Sequence, residues 1–554
     1  MRYGLVGVVV AGLFASATAR AADVPADPSN FKAKFATLKP GDTLKLAAGD
    51  YDGGLSIHGV SGAPGQPITI EGPASGTPAR LLAKSCCNTI DLQDAAYIVI
   101  KNLTFDGQDI SGVDAVKANG TAGHWTHDVT VEGCTITHHD GGGTSQQTVG
   151  VSTKIVSWSW IIRDNVIDGA GTGMYLGNSD GSEAFIGGLI EGNLYRHTLG
   201  YNMEIKHQID RQQNDVPQVP TDVRTTIIRN NVFLKENNPS PDGARPNLLV
   251  DGFPDSGPGS QDHYEIYGNF FFHNDDDALL QATGRVHVHD NLFVDSKHQA
   301  IHFMNHAGKM VIDAVAYNNT IYGTAQGISF GNAPSGVSLV AGNAIFSPSA
   351  LSGTMTNEHD DITDSVTHAG NYVNKPGLVL GQIDFYPKTG SALHGGAIDL
   401  SSVQSDADYD RDFNGTQKDF TYRGAYQGEG TNSGWKPQDG LKSGGASGGA
   451  GGSGGAGGSG GAGGSGGAGT GGASAGGTSS GGSGTGGASS GGASGAAGSA
   501  GATSGDSGGC GCRAAGSRRG APWALALGLL ALGGAARRWS SRASARRRAR
   551  ACPR

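Results

Sequence analysis

Cysteine and basic residues are both scarce in the body of this 554-residue chain. Only Cys86, Cys87 and Cys134 lie before residue 510, and an odd number, two of them adjacent, defines no disulfide framework. A bridge to Cys134 and a buried free thiol both remain open. Residues 22–509 contain 27 Lys and Arg against 49 Asp and Glu, a net charge of −22. This acidity disfavours nucleic acid as a partner, because nucleic-acid binding depends on basic surface.

Long apolar runs are also absent, and the apolar segments near both ends fall short of the ~20 residues that span a bilayer comfortably. Residues 1–21 combine Arg2, an apolar stretch over residues 3–14 and a small-residue site that ends at Ala21. This order is typical of a secretory signal peptide, so we expect the protein to be exported.

At the other end, "CGCR" precedes an apolar run over residues 521–536 and a tail with eight arginines. Arginines stay cytoplasmic, so everything before residue 521 is expected outside the inner membrane. The order of these three parts in residues 510–554 resembles the myxobacterial C-terminal sorting segment. The resemblance implies an envelope sorting protease as a partner, processing at Cys510 or Cys512, and delivery to the cell surface. A permanent membrane anchor is the alternative.

Glycine is abundant, with 95 residues, and many of them fall in residues 443–509, which are almost wholly Gly, Ser, Ala and Thr. Such a composition has too little apolar surface to pack and predicts a disordered stalk. The predicted organisation is a signal peptide at 1–21, a folded domain at 22–442, a linker at 443–509, and a sorting segment with a short apolar helix at 510–554.

The folded domain contains a repeat of variable length, 22 to 38 residues. Each unit has an apolar residue, any residue, a Gly, Asn or Asp, usually an Asn, any residue, and a second apolar residue, in that order. The residues at the position that is usually Asn are Leu103, Cys134, Asn165, Asn193, Asn231, Asn269, Asn291, Asn319, Asn343 and Asn371. The Gly, Asn or Asp before each tolerates a left-handed backbone, so every unit is predicted to turn sharply there. The eight asparagines from Asn165 onward are predicted to stack as a ladder.

A second apolar strand follows each turn, and strands that recur once per unit predict a β-solenoid. A β-sandwich would not explain the ladder, and a β-propeller would need longer repeats. The opening "PGDTLKLAAGDYDGGLSIHGVSGAPGQPITIEG" resembles the first coils of right-handed parallel β-helix proteins, the fold of pectate, alginate and chondroitin lyases and of polygalacturonases. The resemblance implies an all-β, right-handed parallel β-helix, which we expect to be a monomer.

The segment "YNMEIKHQIDR" at residues 201–211 concentrates charge on one of these second strands. Alternation turns Met203 and Ile205 inward and Glu204 and Lys206 outward. The first predicted outward column is Val116, Ser152, Tyr175, Glu204, Leu249, Leu279, His302 and Ser329. The second is Ala118, Lys154, Gly177, Lys206, Asp251, Gln281, Met304 and Gly331. The two columns form a polar groove, although solvated outward positions without a function would show the same polarity.

A uronate lyase needs a base for the proton α to a carboxylate and a cation that neutralises this carboxylate. Resemblance to alginate and chondroitin lyases implies Lys206 as base and Arg211 or Arg245 as cation. His207 lies in an adjoining loop and is a further catalytic candidate. The other predicted roles are substrate binding by Tyr175, Gln281 and His302, and Ca²⁺ binding by Glu204 and Asp251.

The predicted function is therefore β-elimination on a uronate-containing polysaccharide. One alternative is a non-catalytic surface protein that binds glycan or mediates adhesion. The other is a polygalacturonase-like hydrolase that would use Asp275 and Asp276 of "NDDDAL". The hydrolase pattern is incomplete, because Gln299 stands where a histidine is expected and Tyr201 where an aspartate is expected.

Overall fold

The computed structural model describes residues 21–442 except residues 86, 146, 212–214, 238–239 and 242. The predicted signal peptide (apart from Ala21), linker and sorting segment, with Cys510 and Cys512, lie outside the described residues and stay predictions. Within the described part of the chain, no helix is long and apolar enough to cross a membrane.

Three rows of parallel strands run along the domain, one strand of each row per coil. The first row precedes the repeated turn and consists of Asp23–Ala26, Thr43–Leu46, Ile68–Glu71, Ala95–Lys101, Trp125–Glu132, Ile161–Arg163, Leu189–Glu191, Thr225–Arg229, His263–Tyr267, Gly284–His289, Val311–Tyr317, Ser338–Ala341 and Glu358–His359. Two short strands, Val156–Trp158 and Phe185–Ile186, extend it at one side.

The second row follows the turn and consists of Gly49–Asp52, Ala79–Leu82, Leu103–Asp106, Thr135–His139, Val166–Ala170, Leu194–Arg196, Val232–Leu234, Phe270–Asn274, Leu292–Phe303, Thr320–Phe330, Ala344–Phe346 and Ile362–Asp364. The third row consists of Leu55–His58, Ile90–Gln93, Val116–Ala118, Val149–Thr153, Thr172–Leu176, Met203–Ile205, Leu248–Val250, Leu280–Ala282, the ends of Leu292–Phe303 and Thr320–Phe330, and Ser349–Ser352. Parallel pairing from coil to coil in all three rows confirms the predicted parallel β-helix.

The remaining regular elements lie outside the three rows. A short helix, Phe31–Phe35, belongs to the first coils. After the last coil come a 3-10 helix, Val366–Asn371, the antiparallel pair Val373–Lys375 and Asp384–Pro387, and a 3-10 helix, Ser401–Val403. Residues 366–442 form what we call the C-terminal cap.

The predicted turn column is confirmed from Asn102 to Gly342, where all nine residues have a φ between 49° and 65°. The tenth position differs. Asp360, with a φ of 61°, takes the place predicted for Gly370. This left-handed backbone explains why the column contains only Gly, Asn and Asp, the residues that tolerate it best.

The asparagine ladder is confirmed for seven of its eight predicted members. In each step from Asn165 to Asn343, the side-chain oxygen of one asparagine accepts the backbone N–H and the side-chain N–H of the asparagine one coil before. The prediction for Asn371 is wrong, because this residue ends the 3-10 helix of the cap. Asp361 closes the ladder instead, with Oδ1 accepting the Asn343 backbone N–H at 2.6 Å and Nδ2–H at 2.9 Å.

The interior is filled by apolar columns that run from coil to coil. Met203 pairs in register with Met174 on one side and Leu248 on the other, and all three are fully buried, as predicted. Along the second row, aromatic rings stack at centroid distances of 4.6 to 4.8 Å, in the order Tyr195, Phe233, Phe271 and Phe293. This spacing matches the rise of one coil and gives offset-stacked pairs their favourable contact.

Cys134 occupies the turn-following position of its coil and is buried as a free thiol. Its Sγ–H points to the carbonyl oxygens of Glu132 at 3.4 Å and Ile100 at 3.8 Å. Burial raises its pKa to about 12, so the thiol is protonated and unreactive.

The C-terminal cap is tied to the turn column by a buried lysine. Lys442 donates to the side-chain oxygen of Asn230 at 2.9 Å and to the carbonyl oxygens of Gly268 and Phe413 at 2.6 Å each. Three donors meet three acceptors, which offsets the cost of burying the ammonium group. The last described residue is thereby fixed to the middle of the solenoid.

Candidate active site

The outward face of the third row has a definite register. Its first column is Lys117, Ser152, Tyr175, Glu204, Leu249, Gln281, His302 and Ser329. Two predicted members of this column were wrong, and Ala118 of the predicted second column is also an inward, fully buried residue. Val116 is an inward residue and Lys117 takes its place, and Gln281 replaces Leu279. Gln281 thus lies in the first column between Leu249 and His302 rather than in the second column.

Lys206 lies at the centre of this face, as predicted. Its ammonium group is 2.6 Å from Glu204 Oε2 and 4.8 Å from the centroid of the Tyr175 ring. Lys154, one coil before Tyr175, places its own ammonium group 3.3 Å from the same centroid. The aromatic ring of Tyr175 therefore lies between two cations, each attracted by the electron-rich face of the ring.

Tyr201 forms the second aromatic wall, on the side where the chain enters the strand Met203–Ile205. Its ring centroid is 5.9 Å from the Lys206 ammonium group and 5.5 Å from the guanidinium carbon of Arg245. Burial, with a smaller contribution from the Glu204 charge, raises the pKa of Tyr201 well above its usual value. The phenol is consequently a neutral hydrogen donor at physiological pH.

Arg245 is positioned by its own backbone. Its carbonyl oxygen accepts hydrogen bonds from Lys235 Nζ at 2.6 Å, in the same coil, and from Asn274 Nδ2 at 3.0 Å, in the next coil. Burial lowers the pKa of Lys235 to about 8. Two independent donors on one carbonyl fix the chain at Arg245, so that its guanidinium group remains beside Tyr201.

Arg211 cannot serve as predicted. Its side chain is fully buried and pairs with the Asp262 carboxylate through a short contact. The other guanidinium nitrogen donates to the carbonyl oxygens of Pro220 at 2.6 Å and Asp222 at 2.8 Å. A side chain that is fully covered by protein has no surface to offer a substrate, so Arg211 is a structural residue.

The predicted calcium ligands lie in different surroundings. Glu204 is beside Lys206, whereas the Asp251 carboxylate accepts from His306 Nδ1 at 2.9 Å and from its neighbouring backbone N–H at 3.0 Å. His207 Nδ1 lies 3.9 Å from Asp251, and burial lowers the pKa of this histidine. Among the described residues there is no group of three or more His, Cys, Asp or Glu side chains arranged to hold a metal ion.

In the coils beyond Arg245, the first outward column continues with an amide and an imidazole. Gln281 is followed in register by His302, whose pKa is lowered by burial. Asp277 lies close enough to His302 and Tyr201 for its charge to affect both groups. Asp275, of the hydrolase alternative, is paired with Lys297 at 2.8 Å.

Sequence reasoning did not identify Tyr201, Lys154 or Lys235 as site residues. Tyr201 and Lys235 lie in loops just outside the strands, where no alternation indicates direction. Lys154 was placed correctly in the second outward column, but its approach to Tyr175 depends on the path of a long side chain. A signal for Tyr201 did exist, since a large aromatic residue directly precedes the most charged strand.

A cavity of about 530 Å³ lies in the C-terminal cap, away from all the predicted site residues. It is lined by Asn374, Lys375, Gly381, Gln382, Ile383, Asp384, Gly430, Thr431, Asn432 and Lys436. The polar groups at its base are already paired, since Asp384 accepts from Tyr386 N–H and Asn432 Nδ2–H. We therefore place the candidate site on the outward face of the third row, around the partly exposed side chain of Lys206 and the buried carboxylate of Glu204.

No family model matches the chain, and no curated protein matches its sequence. Solved structures with a similar fold include an alginate lyase from Paenibacillus sp. str. FPU-7, with TM-score 0.37, 16% identity, and coverage of 62% of this chain and 99% of that one. The A-module of mannuronan C-5 epimerase AlgE6 from Azotobacter vinelandii gives a TM-score of 0.38 and 16% identity, covering 61% and 94%. A PL6 family polysaccharide lyase from Pseudopedobacter saltans gives 0.40 and 13%, covering 65% and 96%. All three TM-scores are below 0.5, so any functional assignment depends on the groove residues themselves.

Proposed function

We propose that the protein is a polysaccharide lyase that cleaves a uronate-containing glycan by β-elimination in the third-row groove. The observation that carries the proposal is the convergence of three cations, Lys154, Lys206 and Arg245, on the rings of Tyr175 and Tyr201. Residues 22–509 have a net charge of −22, so this cluster is a local group of cations on a domain of opposite net charge. A local cationic cluster beside aromatic walls suits an anionic sugar chain.

The three roles of an elimination can be assigned within this cluster. Arg245 pairs with the substrate carboxylate and stabilises the charge that develops on it as the α proton leaves. Lys206 in its uncharged form takes this proton as the general base. The electron pair forms the new carbon–carbon double bond and expels the glycosidic oxygen, which takes a proton from the neutral phenol of Tyr201.

The assignment departs from the sequence prediction in two respects. Arg245 takes the role for which the sequence offered Arg211 or Arg245, because Arg211 is buried. Calcium has no step in this scheme, since the cations of the groove neutralise the substrate carboxylate themselves. Removal of divalent ions by a chelator should therefore leave the rate unchanged.

A panel of uronate and neutral polysaccharides, followed for unsaturated product and for reducing ends, tests the proposal. We expect unsaturated product from a uronate polymer, and a loss of at least about a hundredfold in kcat for Lys206→Ala, Tyr201→Phe and Arg245→Ala. Lys375→Ala, an exposed lysine of the cap, is the matched control and should keep the wild-type rate. Reducing ends without unsaturation would identify a hydrolase, and binding without cleavage would identify an adhesin.

We further propose that the protein is displayed on the cell surface, on the basis of the sequence at both ends. Mass spectrometry of the protein released from the surface should find residue 22 near the mature N-terminus and no peptide beyond Cys512. Recovery of the arginine-rich tail in this material would contradict processing and favour a permanent anchor.

A further inference from the structure

A second group of buried asparagines lies at the corner between the second and third rows. Asn202 and Asn247 directly precede the paired third-row strands Met203–Ile205 and Leu248–Val250. Asn274 ends the second-row strand of the next coil. All three residues are buried. We call these three residues the corner network.

The corner network is local, whereas the asparagine ladder continues from Asn165 to Asn343. In the column that contains Asn202 and Asn247, the two coils before and the three coils after have Gly150, Gly173, Leu279, Ala300 and Gly327. Small or apolar residues therefore suffice for the solenoid at this position. A buried amide costs free energy unless it is hydrogen-bonded, so the two asparagines meet a local requirement of the coils that carry Tyr201 and Arg245.

Asn202 holds the backbone that carries Tyr201. It follows Tyr201 directly, and its Nδ2 donates to the Leu234 carbonyl oxygen of the next coil at 2.9 Å and to Thr198 Oγ1 at 3.0 Å. The carbonyl oxygens of Tyr201 and Asn202 accept backbone N–H groups from the preceding coil. The chain at Tyr201 is thereby bonded to the coils on both sides.

Asn274 connects this corner to Arg245. Its Nδ2 donates to the Arg245 carbonyl oxygen at 3.0 Å and to Asn247 Oδ1 at 2.9 Å, both in the coil before its own. Its Oδ1 accepts the backbone N–H groups of Asp276 at 3.0 Å and Asp277 at 2.9 Å. The amide is held on both sides and cannot turn without breaking these bonds. The backbone of Arg245 is therefore tied to the coil that follows it.

We propose that Asn274 is a positioning residue for the elimination and acts through Arg245. The inference rests on the proposed function and assigns the residue that keeps the Arg245 guanidinium carbon 5.5 Å from the centroid of the Tyr201 ring. Arg245 pairs with the substrate carboxylate while Tyr201 protonates the leaving oxygen, so both groups must meet one sugar chain at the same time. A misplacement of about 1 Å in such an arrangement can cost about a hundredfold in rate.

A double-mutant cycle on kcat/KM, measured from the appearance of unsaturated product, tests the proposal. Asn274→Ala should lower kcat/KM at least about tenfold in the wild-type background but less than about threefold in Arg245→Ala, because the side chain that it positions is then absent. Lys235→Met removes the other donor to the same carbonyl oxygen and should depend on Arg245 in the same way. Where Arg245→Ala has no measurable rate, the same cycle is measured on the Kd for the uronate polymer.

Asn269→Ala is the matched control. Asn269 directly precedes the strand Phe270–Asn274 and Asn274 ends it, so the two buried asparagines lie at opposite ends of one strand. Asn269 belongs to the ladder, and its side chain bonds to Asn231, Ile228, Tyr267 and Asn291. We expect Asn269→Ala to keep kcat/KM within about twofold of the wild type below its melting temperature.

The outcomes separate the inference from the function on which it rests. Equal kinetic effects of Asn269→Ala and Asn274→Ala, or an undiminished effect of Asn274→Ala in Arg245→Ala, overturn the inference and leave the lyase intact. Absence of unsaturated product from every uronate polymer overturns both. Circular dichroism at the assay temperature shows which variants are folded, and Lys235→Met tests the same carbonyl contact if Asn274→Ala does not fold.

Discussion

Asp361 closes the asparagine ladder with a carboxylate where every earlier rung has an amide, and Asp361→Asn should therefore stabilise the protein at neutral pH. Burial raises the pKa of Asp361 to about 6, against 3.8 for the exposed group. Its Oδ2 is buried and finds no hydrogen-bond donor among the described residues. An asparagine would place an N–H there, in the position from which each ladder amide donates to a carbonyl one coil before.

The magnitude follows from the difference between the two pKa values. The folded chain keeps the proton up to pH 6, whereas the unfolded chain releases it near pH 4, so stability falls as pH rises between these values. Above pH 6 the full cost is about 3 kcal/mol, and Asp361→Asn should remove it. Below pH 4 the variant and the wild type should be similar in stability, because both side chains are uncharged.

Urea unfolding of the two proteins at pH 4 and pH 8, followed by circular dichroism, measures this difference. Asp360→Asn is the matched control. Asp360 is the adjacent turn residue, and asparagine tolerates its left-handed backbone equally well. The hydrogen bond with His359, and after it the one from Arg423, lowers the pKa of Asp360. This control should lose stability at pH 8 instead of gaining it. An Asp361→Asn protein that is no more stable than the wild type at pH 8 would refute the reasoning.

Three further predictions concern stability, each measured by urea unfolding of the full chain. Asn269→Ala removes a fully buried rung and should cost at least about 3 kcal/mol, whereas Asn371→Ala, off the ladder and exposed, should cost less than about 0.5 kcal/mol. Arg211→Ala leaves the Asp262 carboxylate buried without its partner and should cost about 3–5 kcal/mol, so that equal stability of this variant and the wild type would contradict its structural role. Phe233→Ala interrupts the aromatic stack and should cost about 3–5 kcal/mol.

The coils were predictable from sequence because their signals are local. A left-handed turn accepts few residue types, and the residue after it faces the interior. The column of turn residues and the column of ladder residues could therefore be aligned by sequence, although the repeat units differ in length. The alignment failed at Asn371, where "HAGN" imitates the pattern. Asp361 supplies the same acceptor oxygen, and only the three-dimensional path shows which of the two residues continues the ladder.

The site was predictable only where strand alternation extends to it. Glu204 and Lys206 point outward because Met203 and Ile205 are inward, and this followed from sequence alone. Arg211 lies beyond the strand, in a loop whose direction no periodicity indicates. Gln281 was misplaced because a turn at residues 275–277, held by Asn274, delays the start of its strand by two residues.

The central claim is that the third-row groove performs β-elimination on a uronate, and the ultraviolet absorbance of unsaturated product tests it most directly. The account predicts that wild-type protein generates this absorbance from a uronate polymer in the presence of chelator, and that Lys206→Ala, folded to the same melting temperature, does not. New reducing ends without the absorbance, or an undiminished rate in Lys206→Ala, would contradict it.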